Sequence, residues 1–150
     1  MSEHKYVLDA TMPAPVPSAD GLDAEYWAGT RAHEIRVQRC GACGTFRWAP
    51  EWICHVCHSF DIEWSAVEPN GVLFSFQRVW HPVTPALATA VPYVNLLVEL
   101  PQAGGIRMLG NYAGDPLDAL EIGTPMTAVF EDHDDAALAY TLVNWVRGDR

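Results

Sequence analysis

Four cysteines, all that the chain contains, fall into two Cys-x-x-Cys pairs: Cys40-Gly-Ala-Cys43 and, ten residues later, Cys54-His-Val-Cys57. Each pair at this spacing forms a tight knuckle, and two knuckles close around an ion as a tetrahedral four-thiolate site, the pattern of a zinc ribbon. A short Cys-rich segment buries too little apolar surface to hold itself, so the ion supplies its folding energy. Zinc is the expected ion, as one structural Zn2+; a rubredoxin-type iron centre uses the same ligands, and the spacing does not separate the two. Two disulfides would need an oxidising compartment. The start, Met1-Ser-Glu-His-Lys-Tyr-Val-Leu, lacks the apolar stretch of a signal peptide, so a cytoplasmic location is expected. A thioredoxin-like redox site needs only one Cys-x-x-Cys in a strand–helix context. His55 and His58 flank the second knuckle, but four thiolates already complete a tetrahedron, so neither is read as a ligand.

The remaining inventory argues against catalysis by this chain alone. A catalytic zinc keeps one coordination position open for water, and four thiolates leave none. No Gly-x-Ser-x-Gly elbow, phosphate loop or dinucleotide fingerprint is present. No catalytic residue is therefore assigned. Nine Lys and Arg against nineteen Asp and Glu give a net charge of −10, and a divalent ion in four thiolates would add about −2. Affinity for nucleic acid comes largely from cations that neutralise phosphates, so this balance argues against such a partner. At 150 residues and 49% hydrophobic content the chain has the size of a single globular domain. Its apolar runs are far shorter than the ~20 residues of a membrane span.

Around the cysteines, the sequence reads as mainly β. Residues 1–33 form an N-terminal arm and helix, 34–66 a zinc ribbon, and 67–150 a barrel. Prolines in Met12-Pro-Ala-Pro-Val-Pro-Ser favour an extended arm over residues 1–18. Asp20–Gly29 reads as a short helix capped by Asp20 or Asp23, with Tyr26 and Trp27 docking it onto the chain's own core or another subunit. Glu34–Arg39, Thr45–Trp48 and Phe60–Trp64 read as the ribbon strands, with Gly44 supplying a positive φ after the first knuckle. From Gly71 the strands lengthen. Val72, Phe74 and Phe76 share one face, opposite Leu73, Ser75 and Gln77; Val94, Leu96, Val98 and Leu100 share a face of the next strand. Gly104-Gly105 turns into Ile106–Asn111. Asp115–Ile122 is a polar connection with one helical turn. Met126, Ala128 and Phe130 mark a fourth strand, Asp132–Asp135 a turn, and Tyr140, Leu142 and Asn144 a fifth strand. Five strands with a longer connection between the third and fourth suit an OB-fold barrel.

Tyr26-Trp27, Gln38-Arg39-Cys40, Cys43-Gly44, Cys54, Cys57, Glu63-Trp64, Gly71-Val-Leu-Phe-Ser-Phe, Pro92-Tyr93-Val94 and Ile122-Gly123 occur in that order. With them the chain, from about Asp23 to Glu131, resembles a family that joins an N-terminal helix and a rubredoxin-like zinc ribbon to an OB-fold. Its members are found as small accessory subunits beside thiolases and related acyl-CoA enzymes. Two departures stand out: Ala49-Pro50-Glu51 where the family has Pro-Pro-Arg, and His55 where Pro often follows the third cysteine. Neither touches a ligand, though the first removes an Arg available for a partner contact. The resemblance implies a non-catalytic role in a hetero-oligomer with a thiolase, a thiolase-like aldolase or a hydratase acting on fatty, steroid or aromatic acyl groups.

Direct contact with coenzyme A has been suggested for some members. Thiolase chemistry needs a free nucleophilic cysteine, and here the metal claims all four. Arg78, Trp80 and His81, with Arg107 and Asn111 and the later Trp145 and Arg147, could pair with phosphate and stack on adenine as a coenzyme A surface; scattered barrel residues are the plainer reading. A single-stranded nucleic-acid module, a rubredoxin-like electron carrier and an independent acyl-CoA enzyme relying on His81 remain the alternatives.

Overall fold

A computed structural model describes residues 6–8 and 14–148. The expected arm over residues 1–18 therefore lies partly outside the described residues; Ala14–Ser18 have no regular structure.

The helix, α1, spans Ala24–Arg31, starting and ending later than Asp20–Gly29. Asp23 occupies the N-cap without a side-chain cap bond; its carboxylate instead accepts from Trp27 Nε1 at 2.8 Å. Gly29 does not end the helix. It lies inside it, where an added Cβ would come within 2.7 Å of the Arg36 side chain. His33, at φ 57°, terminates the helix. Its N–H bonds Thr30 O and the Glu34 N–H bonds Gly29 O, the paired closure usually built on a glycine. His33 is held there by Asp132, whose Oδ2 lies 2.9 Å from Nε2, and by stacking on Phe130. Tyr26 packs against the shared core and the Trp48 ring, so α1 docks on its own chain.

Three strands form the ribbon sheet, in order β2-β1-β3: β1 Ile35–Cys40, β2 Phe46–Arg47 and β3 Ile62–Val67. Five more form an antiparallel sheet in order β6-β5-β4-β7-β8: β4 Asn70–Val79, β5 Tyr93–Leu100, β6 Ile106–Asn111, β7 Pro125–His133 and β8 Tyr140–Arg147. A bridge between Tyr112 and Trp145 brings the two outer strands together, giving the nearly closed five-stranded barrel expected of an OB-fold. Gly110 makes this closure possible, because a Cβ there would lie 2.7 Å from both Trp145 Cδ1 and Val143 O. Val94, Leu96, Val98 and Leu100 are all buried, as their alternation predicts. They form one core with Leu73, Met108, Met126, Val143 and Trp145, into which β1 inserts Ile35 and Val37.

Three local expectations change. The face grouping Val72, Phe74 and Phe76 fails because β4 bulges between Leu73 and Ser75. The extra residue resets the alternation, burying Leu73 and leaving Phe74 exposed. No helical turn forms over 115–122; Asp115 Oδ1 accepts from Leu117 N at 2.8 Å and closes a tight turn. Asp132 and His133 belong to β7 rather than to a turn. Thr141 Oγ1 donates to Asp132 Oδ1 at 2.7 Å, and the His133 ring stacks on Tyr140, extending the pairing with β8.

Candidate metal centre and barrel surface

The two knuckles share one backbone design. In the first, Cys40 N–H bonds Thr45 O and Gly44 N–H bonds Cys40 O; in the second, Cys54 N–H bonds Ser59 O and His58 N–H bonds Cys54 O. Each design needs a left-handed residue directly after its second cysteine. Gly44 at φ 76° supplies it in one knuckle and His58 at φ 59° in the other. Sequence reading found the glycine and missed the histidine, whose type signals a positive φ far more weakly than glycine does.

The knuckles bring the ligand atoms of Cys40, Cys43, Cys54 and Cys57 within 4.8 Å of one another. Cys40 Sγ lies 3.5 Å from Cys57 Sγ, and Cys43 Sγ 3.6 Å from Cys54 Sγ. A tetrahedron of Zn–S bonds of about 2.3 Å has sulfur–sulfur edges of roughly 3.8 Å, so the cage fits a metal ion. Local donors favour the thiolate at two of the sulfurs, Cys43 and Cys54. Thr45, through its hydroxyl and then its backbone, pulls Cys43 down to about 6. The backbone N–H groups of Cys57 and Val56 lower Cys54. Ser59 N–H also favours the Cys57 thiolate, but the adjacent Cys43 sulfur, burial and the other two sulfurs outweigh it and push that thiol up to about 12. Four sulfurs this close cannot all ionise without a cation among them. Among the described residues no histidine joins the cluster; His55 faces Glu51 instead, Nδ1 to Oε2 at 3.2 Å.

The barrel residues singled out by sequence do not form one cluster. Arg78 is half-buried, donating from Nε to Pro116 O and from Nη2 to Asp118 O, both at 2.6 Å. It clamps the connection between β6 and β7. Trp80 and His81 follow the end of β4 and are exposed. Arg107 lies over the Phe74 ring at 3.5 Å and pairs with Glu99 at 2.9 Å. The β5 partners of Arg78 and Arg107 are Val94 and Glu99, about 17 Å apart at ~3.3 Å per residue. Asn111 lines a groove of about 590 Å³ with Tyr26, Gln77, Asn95, Leu109 and Asn144. Trp145 is fully buried in the core, and Arg147 donates to Ala119 O at 2.5 Å.

Composition could not reveal two further features. Trp52, Ile53, Val56 and Phe60 gather around the second knuckle and are exposed by 45–71%, a patch of the kind that marks an interaction surface. Residues 6–8 lie on the barrel. Tyr6 stacks on His133 with centroids 4.0 Å apart, and Val7 N–H donates to Glu131 Oε2 at 2.8 Å. No helix among the described residues is long and apolar enough to cross a membrane.

Family models match the chain in two adjoining pieces. Residues 27–63 match the ChsH2 rubredoxin-like zinc ribbon domain and residues 64–131 the ChsH2 C-terminal OB-fold domain. A solved chain described as "Ltp2-ChsH2(DUF35) aldolase" superposes with a TM-score of 0.72 at 30% identity, covering 89% of this chain and 98% of that one. A DUF35-family protein from Sulfolobus solfataricus shares the fold at 14% identity and a TM-score of 0.56, over 86% of this chain and 87% of that one. A "Probable enoyl-CoA hydratase alpha subunit" of Thermomonospora curvata is 36% identical over 114 residues, 75% of this chain and 34% of that protein. The "3-oxo-4,17-pregnadiene-20-carboxyl-CoA hydratase alpha subunit" of Mycobacterium tuberculosis is 35% identical over 122 residues, 81% of this chain and 38% of that protein. The chain thus spans little more than a third of the length of these two relatives. Its zinc ribbon with a four-cysteine metal site, its OB-fold barrel and its likeness along nearly the whole of a ChsH2 DUF35 chain make it a member of the ChsH2 zinc-ribbon and OB-fold family.

Proposed function

We propose that the chain is a non-catalytic subunit that binds and supports a thiolase-like aldolase, a thiolase or a hydratase acting on acyl-CoA. The observation that carries this reading is its match to 98% of a chain whose description pairs ChsH2 with Ltp2 as an aldolase. The hydratase alpha-subunit names of the longer relatives supply the acyl-CoA part of the reading. The cysteine cluster agrees with it: all four sulfurs converge on one candidate ion site, leaving none as an acyl-carrying nucleophile. One structural zinc fills that site and fixes the second knuckle.

The apolar surface of Trp52, Ile53, Val56 and Phe60 is the face the partner covers. Contact with coenzyme A, if the complex makes it, falls to Trp80 and His81, which are exposed. Arg78 and Arg107 already hold protein partners.

Co-expression with a thiolase-type enzyme and, separately, a hydratase beta-type enzyme from the same genome tests the proposal. Co-elution with one of them, and a loss of its activity or stability when the chain is omitted, is the expected result. A Trp52→Ala, Phe60→Ala double variant should keep its fold and lose co-elution. No association with either class would end this reading.

A further inference from the structure

Arg47 is the one buried cation whose nitrogens all lack a partner among the described residues. It is 1% exposed, and Nε, Nη1 and Nη2 make no hydrogen bond. Its neighbour Gln38 is fully buried, with Oε1 accepting from Glu51 N at 2.8 Å and Nε2 left without a partner. A guanidinium does not shed its proton in a protein, and a buried charge requires an opposite one. No carboxylate supplies it by hydrogen bonding.

Strand geometry places Arg47 beside the cysteine cage. Arg47 on β2 pairs directly with Gln38 on β1, so their side chains share a face. Cys40 lies two residues beyond Gln38 on the same strand and shares that face. Arg47 is thus the diagonal neighbour of Cys40, at about 7–8 Å between backbones. A divalent ion in four thiolates carries a net charge of about −2. Cys40, like Arg47, is 1% exposed, so little water lies between them to screen the attraction.

We propose that Arg47 is the buried counter-charge of the metal centre. It makes no hydrogen bond to a sulfur, so it acts through space, favouring the dianionic site over the protonated, metal-free one. Gln38 holds Glu51, and with it the segment that leads into the second knuckle, over this buried charge. The proposal rests on the metal centre alone and is independent of any partner.

The test compares Arg47→Met and Arg47→Gln, which remove the charge, with Arg47→Lys, which keeps it. Zinc affinity is read by competition with a chromophoric chelator, and the reduction potential is read on iron-substituted protein. The neutral variants should bind zinc at least about tenfold more weakly, as loss of an outer partner commonly does. Their iron potential should fall, because the reduced four-thiolate centre carries the extra negative charge. Arg47→Lys should stay near the wild type in both. A neutral variant with wild-type affinity and an unchanged potential overturns the proposal. If both neutral variants fail to fold while Arg47→Lys folds, the charge requirement is upheld. If Arg47→Lys fails with them, shape rather than charge is what matters, and the proposal falls.

Discussion

The ribbon and the barrel are held by different forces, and β1 belongs to both. At its start, Ile35 and Val37 are fully buried in the barrel core. At its end, Cys40 enters a cage of four sulfurs, and the segment beyond it leaves Trp52, Ile53, Val56 and Phe60 in solvent. The barrel buries alternating residues from all five strands; the outer half of the ribbon has no comparable core. An apolar body thus carries a tip built around a cage of four sulfurs, and the boundary falls between Val37 and Cys40.

Metal removal is the strongest way to break this contrast. Structural zinc contributes about 10–16 kcal/mol in small ribbons. Chelation, or Cys54→Ser, should abolish hydrogen-exchange protection around residues 40–60 and leave β5, β7 and β8 protected. Loss of protection in both regions together would show a single cooperative unit. Next in size, Leu96→Ala should cost about 2–5 kcal/mol by leaving a cavity in the core. It should lower the barrel's melting temperature without changing zinc stoichiometry; zinc loss in that variant would contradict the division.

Gly110→Ala should cost about 1–3 kcal/mol, because its Cβ meets Trp145 and the Val143 carbonyl. Denaturant titration followed by Trp fluorescence would read it. The knuckles sharpen the contrast from the other side. Gly44→Ala should cost about 1–2 kcal/mol of metal-bound stability for its left-handed backbone, whereas His58→Gly removes a similar strain and should not weaken zinc binding.

The smallest effect concerns pH. Thr141 donates to Asp132 and, with His33 and Arg31, holds its carboxyl below the usual range against burial. Its folded pKa lies under its unfolded value, near 3.9. The stabilisation is therefore present above that value and is lost as pH falls through it towards the folded pKa. Asp132→Asn should flatten this acid limb by under about 1 kcal/mol, since the carboxylate is partly in water; an unchanged acid limb would place the dependence elsewhere.

The cysteine spacing exposed the metal site in the sequence because ligand type and knuckle length are local properties. The β5 core face was legible for the same reason: period-two alternation needs no knowledge of neighbours. Phe74 was misread because a bulge depends on the partner strands. The helix end was misread because His33 closes it through contacts with Asp132 and Phe130, residues 99 and 97 positions away in the chain. The Arg78–Arg107 cluster failed similarly. β4 and β6, which carry them, flank β5 on opposite sides, and strand register keeps the two residues at different heights. Arg47 reads as an ordinary strand residue until its burial is known.

Glu131 gives the molecule a common fulcrum. One carboxylate accepts from Val7 N at 2.8 Å, faces His133 Nε2 at 2.7 Å and accepts from Asn144 Nδ2 at 3.0 Å, while Asn144 Oδ1 receives Asn111 N. The early segment, the aromatic stack and the seam between the barrel's outer strands therefore hinge on a single side chain. Residues 6–8 and the Asn144 wall of the groove thus draw on the same carboxylate, so a Glu131→Gln change would alter the contacts of both at once.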